Sequence, residues 1–496
     1  MKRPRSVVCL AISLCLTFLL SAPARAGLSG DIGEILGDDL LVKAQVGIDI
    51  VRLGSSADDS ETIFQSNATA PLIPASNLKV ITTSAALQRL GPDFRFRTQL
   101  IWHDGDLILI GDGDPTFGDA ELLKKVGWQT DTVYKNWAAV LSGRGIHKFR
   151  DLIVDDSVFD DQFLHPNWPA DQTEKRYVAE IGGLNLNANC VDVYVHPGAP
   201  GGLVSFTTDP ISSYFSIRNS CISGGDNAIW LSRQPNSNDL ILRGSTPVAN
   251  DLPVSVTIHD PPMYAGTFLA DVLKSSGITM TGTVLRDRTM RSAFIDSQKQ
   301  SDARWIPLAV HETPLLSVIA RANKDSMNLY AECICKRLGF AAAGEGSWNA
   351  GTAAVGQFLT SLHIPSDQFS LDDGCGLSKS NAISSHLMVA VLAHDFFMPS
   401  HDAWMKCLSV AGEDGTLLDR FRGTDLRGRI IGKTGFVNGV SCLSGYLHAK
   451  DDGWYCFSIM FNGIPEGTNS GAKTLQERIV AALDRHTAED AQAKAN

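Results

Sequence analysis

Pro74-Ala75-Ser76-Asn77-Leu78-Lys79 opens a helical stretch in which Leu78, Ile81, Ala85 and Leu90 are among the apolar residues and Gly91 is placed as the stop. Ser76 and Lys79 stand three residues apart at the head of that helix. Such spacing puts both side chains on one face, about one turn apart, in hydrogen-bonding geometry. A serine hydroxyl is a poor nucleophile until a base takes its proton. Lysine can be that base only as the neutral amine, against a reference pKa of about 10.4. Burial and a second cation both depress a lysine, so the reading turns on whether the rest of the chain supplies them.

Two further strings supply the remaining parts. Ser326-Met327-Asn328 lies on or beside a helix within Asn323 to Glu332. Ser326 is placed to relay a proton to a leaving amine, and Asn328 to hold a substrate amide and the Lys79 side chain through its two-sided carboxamide. Lys433-Thr434-Gly435 reads as part of a strand beside the nucleophile. Lys433 is the second cation and the binder of a substrate carboxylate, while Gly435 lets a peptide backbone approach as an added strand. The backbone amides of Ser76 and Phe436 form the expected oxyanion hole. About two S-x-x-K matches are expected by chance in a chain this long, so the weight rests on three motifs in order.

S-x-x-K, then S-x-N, then K-T-G is the order shared by penicillin-binding proteins and serine β-lactamases, and the chain resembles that superfamily from first motif to last. Ser76 and Ser326 are 250 positions apart, whereas Ser326 and Lys433 are 107 apart, so the surplus length is inserted between the first two motifs. That layout is similar to the class C penicillin-binding proteins of the D-alanyl-D-alanine carboxypeptidase/endopeptidase family, peptidase family S13. Gly111-Asp112-Gly113-Asp114-Pro115-Thr116 resembles the family's glycine-rich motif, and Val154-Asp155-Asp156-Ser157-Val158-Phe159 its inserted aspartate segment. Leu184 to Val191 and Asp373-Gly374-Cys375-Gly376-Leu377-Ser378 resemble further family strings. Cys375 stands where serine is usual, and Phe436 where Ser or Thr often follows K-T-G.

The resemblance implies an α/β transpeptidase/β-lactamase-like catalytic domain, an antiparallel sheet with helices on both faces, carrying a large, mostly β insertion. It implies cleavage of D-Ala-D-Ala stems and of D-Ala-diaminopimelate cross-links in peptidoglycan through a Ser76 acyl-enzyme, with acylation by β-lactams and no metal or cofactor. Asp156 is the expected partner of the amino group of the diaminopimelate side chain; as a bare residue it also reads as a turn carboxylate. A homodimer is compatible with this picture. The competing readings are a β-lactamase or esterase using the same site, and a non-catalytic peptidoglycan-binding protein.

Met1 to Ala26 has a basic start, an apolar run from Val7 to Leu20, and small residues at Ala24 and Ala26. This pattern predicts a cleaved secretory signal and a periplasmic protein. Loss of Lys2, Arg3, Arg5 and Arg25 would move the formal net charge from -11 to -15. No basic stripe offsets it, which argues against a nucleic-acid partner. No later run approaches the roughly 20 apolar residues of a transmembrane anchor. The tail, a helix near Thr474 to Leu483, is expected to pack on the domain.

Eight cysteines remain in the expected mature chain, and an exported protein permits pairs such as Cys190 with Cys221 or Cys407 with Cys442 or Cys456. Cys333-Ile334-Cys335 is a poor metal fragment, since helical residues two apart face away from each other and no cluster completes it.

The expected layout is a signal at 1–26, a catalytic domain from 27–92 and 300–496, an inserted domain from 93–183 and 262–299, and a β domain at 184–261. Arg97 to Trp102 and Leu107 to Ile110 predict a hairpin. Pro314 to Leu338 and Ala350 to Leu362 predict helices. Ile430 to Gly435, Ser441 to His448 and Trp454 to Phe461 predict consecutive antiparallel strands.

Overall fold

The two ends of the chain meet in one sheet. In the computed structural model, which describes residues 27–57 and 59–495, six antiparallel strands run in the order 409–410, 430–437, 440–448, 454–462, 45–52, 61–66. The predicted signal segment lies outside the described residues. Asn438-Gly439 makes a two-residue hairpin between Val437 and Val440, with Gly439 at φ +83°, the turn chemistry that matches strand twist. Asp452, at φ +61°, and Gly453 turn the next hairpin, where Ala449 N–H donates to Gly453 O.

This sheet is buried on both faces, so its strands read as near-continuous apolar runs instead of alternating ones. In Val440–His448, Leu443 and Leu447 face one core, shared with Leu28–Leu36 and the terminal helix Asn469–Ala495. Cys442 and Tyr446 face the other, packed by the first-motif helix Leu78–Leu90 and by Leu315–Lys324, Asn328–Ala343, Trp348–Ser361 and Ser385–Phe397.

The helix expected over Pro314 to Leu338 is two helices. The chain breaks between Lys324 and Asn328, with Ser326 in the left-handed region at φ +57°. Breaking there turns Ser326 out of a helix face and starts the second helix at Asn328.

The intervening sequence holds strands and also helices at Ala120–Val126, Thr132–Gly143, Pro261–Ser275 and Met290–Gln300. Its largest sheet runs 284–286, 152–155, 106–110, 95–103, 305–314 and packs a core of its own. Trp305–Pro314 pairs with Arg95–His103, so this sheet draws on residues beyond position 299. Two further sheets, built from 190–257, enclose a separate small core of Val191, Val193, Leu240 and Leu242.

All eight cysteines from Cys190 onward are buried free thiols, so none of the pairings that the count permits is formed.

Candidate active site

The nucleophile turn is strained and tightly packed. Ala75 has φ +46°, and a 3-10 turn over Ala75–Asn77 runs straight into the helix that starts at Leu78. Left-handed backbone at a residue with a side chain costs on the order of 1 kcal/mol and persists where the surroundings over-determine it. Two glycines provide those surroundings. A Cβ at Gly376 (φ +82°) would lie 1.9 Å from Ala75 O, and a Cβ at Gly435 would lie 2.6 Å from Pro74 O. Gly435 is therefore required by packing of its strand on the nucleophile turn, a reason the sequence alone did not offer.

Lys79 is fully buried, and its Nζ has three oxygen neighbours: Ser76 Oγ at 2.9 Å, Asn328 Oδ1 at 2.8 Å and the Cys375 carbonyl at 2.8 Å. Two of these can only accept. A neutral amine has two N–H donors and one lone pair, so Asn328 and Cys375 take both donors and the lone pair is left facing the Ser76 hydroxyl. Burial pushes the Lys79 pKa below its ordinary value, while Cys375, Asp373 and Glu332 oppose the shift. Of the two causes the sequence offered, burial depresses Lys79, and Lys433 is not among the groups that shift it. Lys433 is itself held well below the usual lysine value, first by burial and then by Lys79. Its Nζ donates to Ser326 Oγ at 2.9 Å and to Thr434 O at 2.6 Å.

Two buried carboxylates fix the loop that presents the Cys375 carbonyl. Glu332 accepts from Gly374 N–H at 3.0 Å, Cys375 N–H at 2.7 Å and Trp348 Nε1 at 2.7 Å. Asp373 accepts from Gly376 N–H and Ser378 N–H, both at 2.7 Å, from Asn381 Nδ2 at 2.8 Å and from Trp168 Nε1 at 2.9 Å. Burial raises Glu332 to about 7 and pushes the Cys375 thiol well above its usual value. Glu332, Asp373 and Cys375 come close enough to suggest a cation site. Their carboxylate oxygens are already committed to N–H donors and the thiol is held protonated, so the donor set suits the backbone loop and does not fit a metal.

Asn328 is half engaged from the inserted region: its Nδ2 donates to Tyr177 O at 2.8 Å, and the Tyr177 side chain is 45% exposed beside it. Phe436 is 54% exposed and Thr434 half-buried on the K-T-G strand. That strand pairs with 409–410 only at Ile431 and Gly432, which leaves Lys433 to Val437 without a strand neighbour on that side.

Asp156 is a correction. Its carboxylate is fully buried and both oxygens accept from Arg286, with Arg288 Nε 3.7 Å away. Burial raises its pKa and the arginines offset the shift. It is an internal ion pair with no face offered to a ligand, so the expected contact with a substrate amine is not available to it. The sequence also missed Tyr177, Glu332 and Asp373, whose placement depends on partners far along the chain. A cavity of about 960 Å³, lined in part by Trp128, Asp209 and Asp271, contains none of the motif residues.

Comparison with known proteins gives the family. A D-alanyl-D-alanine carboxypeptidase of Actinomadura sp. (strain R39) is 31% identical over 484 residues, spanning 91% of this chain and 85% of that protein. The D-alanyl-D-alanine carboxypeptidase DacB of Haemophilus influenzae is 24% identical over 456 residues, spanning 86% and 88%. The crystal structure of penicillin binding protein 4 from Haemophilus influenzae shares the fold, with a TM-score of 0.73 at 22% identity over 92% of this chain and 99% of that one. The model of the D-Ala-D-Ala carboxypeptidase 3 (S13) family matches residues 28–486. With its three motifs gathered around one buried lysine, this chain belongs to the D-Ala-D-Ala carboxypeptidase 3 (S13) family and is, as such, a serine-type carboxypeptidase.

Proposed function

We propose that the protein is a periplasmic D-Ala-D-Ala carboxypeptidase and D-Ala-diaminopimelate endopeptidase that works on peptidoglycan through an acyl-enzyme on Ser76. The observation that carries this reading is the Lys79 amine, held by Asn328 Oδ1 and Cys375 O with its third position 2.9 Å from Ser76 Oγ. Ser76 attacks the carbonyl of the penultimate D-Ala while Lys79 takes its proton. The backbone amides of Ser76 and Phe436 stabilise the tetrahedral oxygen, a device worth about 3 kcal/mol per donor.

The peptide adds along the open edge from Lys433 to Val437, with Thr434 and Phe436 beside it. Two buried lysines in one site disfavour two charges. An arriving substrate carboxylate therefore settles the proton on Lys433 and leaves Lys79 as the neutral base. Ser326, hydrogen-bonded to Lys433, passes a proton to the leaving amine, and water resolves the ester.

β-Lactams are proposed to acylate the same serine and to resolve slowly, because their leaving group stays tethered. A β-lactam complex of the Haemophilus influenzae penicillin binding protein 4 supports this. Export is supported by the basic and apolar pattern of residues 1–26. Among the described residues no helix is long and apolar enough to cross a membrane.

Incubation of the mature chain and of Ser76→Ala with a fluorescent penicillin, followed by intact mass, tests the reading. One stable adduct on the wild type and none on the variant is expected. A folded wild type that takes no adduct overturns it, and rapid turnover of nitrocefin in place of a stable adduct would make the protein a β-lactamase.

A further inference from the structure

Beside the K-T-G strand lies a cavity of about 600 Å³, walled by the Gly415 to Arg420 turn, by Thr434 to Phe436 and by the first turns of the terminal helix. Three of its wall residues carry a buried polar atom with no partner: Arg420 Nη1, Thr416 Oγ1 and Asn469 Oδ1. Buried polar groups are nearly always satisfied, so these three atoms are available to whatever fills the cavity, water included. Arg420 is only 5% exposed; its Nε goes to Glu477 and its Nη2 to Lys473 O and Gln476 Oε1, leaving Nη1 free. Lys473, exposed on the first turns of the terminal helix, has no partner for its ammonium among the described residues, and the helix N-terminus adds its own preference for negative charge. The acidic wall residues are already engaged, Glu477 with Arg420 and the mostly exposed Asp419 with Arg422.

One wall of the cavity, the Gly415 turn, adjoins the segment that carries Ser326. Ser326 delivers the proton to the leaving amine, and the Gly415 turn packs directly behind its segment: a Cβ at Gly415 would lie 2.6 Å from Lys324 O. A single departing D-alanine is far too small to fill this space. A residue whose side chain runs on into a second peptide brings both a further carboxylate and an amide N–H.

We propose that this cavity is the subsite for the departing strand of a cross-linked peptide, with Arg420, Thr416 and Lys473 holding a carboxylate of that strand and Asn469 accepting one of its N–H groups. The assignment rests on the acyl-enzyme reading above and adds to it a determinant of endopeptidase against carboxypeptidase action. Lys433 receives the carboxylate next to the scissile bond; this pocket receives the second one.

The test uses the full mature chain with Lys473→Glu and Thr416→Val, a monomeric peptide ending in D-Ala-D-Ala, and a diaminopimelate cross-linked muropeptide dimer. Charge-assisted hydrogen bonds of this kind lead us to expect kcat/KM on the dimer to fall about tenfold, mainly through KM. Monomer turnover and the penicillin adduct should stay within about twofold of wild type. Arg420→Lys, which keeps the charge and loses Nη1, should give the same pattern if it folds; Lys473→Glu lies on the surface and carries the test if it does not. Dimer and monomer turnover falling together, or dimer turnover unchanged, overturns the subsite. A wild type that trims the monomer and leaves the dimer whole also overturns it while sparing the carboxypeptidase reading. A wild type without adduct or D-Ala release is the failure of that earlier reading instead.

Discussion

At Lys79 two acceptors fix both N–H groups of the neutral amine, so the direction of its lone pair is set by a side-chain amide and by one backbone carbonyl. Glu332 is the residue behind that carbonyl, and its carboxylate also favours the charged form of Lys79. Glu332→Gln should therefore slow acylation and move the acid limb of its pH profile to lower pH, read from fluorescent penicillin kinetics across pH. A uniform loss at every pH would mean that Glu332 only props the loop. The raised carboxyl also gives stability a slope. Because its folded pKa of about 7 exceeds the ordinary 4.5, its contribution is complete below that lower value and is lost as pH rises through about 7. Thermal melts of the variant should lack this slope.

Asp156→Asn should cost roughly 3 kcal/mol in denaturant titrations by leaving Arg286 half-paired, with the adduct per folded molecule unchanged. The motif residues were legible because S-x-x-K carries its geometry in its own spacing. Asp156 and Glu332 were not, because the arginine that claims one lies 130 positions downstream and the loop that the other holds lies more than 40 positions away. Nothing local distinguishes a buried ion pair from a ligand-facing carboxylate.

Among the elements, the strand Ile430–Val437 does most to assemble the site. It carries Lys433, presents an open edge and presses Gly435 against the nucleophile turn. Gly435→Ala would force a methyl to within 2.6 Å of Pro74 O, which the strand can relieve only by backing away. Such overpacking typically costs about 1–3 kcal/mol, so a lower melting temperature and a loss of acylation larger than the loss of folded protein are expected together. The helix Leu78–Leu90 and the three closing strands were readable from their apolar periods and turn residues. The break at Ser326 was not. Apolar spacing continues across it, and the left-handed serine is imposed by tertiary contacts that no local pattern encodes.

For the molecule as a whole, stability comes from several separate apolar cores and from buried ion pairs that tie the inserted region to the catalytic one. Arg321, on the helix before Ser326, is held by Asp119, which also accepts from Tyr330. Among the described residues no covalent cross-link contributes. Alkylation of the denatured protein comprising residues 27–496 without reductant should therefore add eight groups, and reductant should leave the melting temperature unchanged; fewer than eight would mean that some of the buried thiols are oxidised. Cysteine number permitted bridges, and only the placement of each thiol in its own core decides against them.

The central sheet seats Gln45–Arg52 between Glu61–Ser66 and Trp454–Asn462. Along the chain the nucleophile comes early, yet one neighbour of its leading strand comes almost last. Lys79 must wait for Asn328 and Cys375, and its leading strand for Trp454–Asn462, so the nucleophile is armed only when the whole chain has folded. The order of the elements along the chain thus acts as a safety catch on the nucleophile.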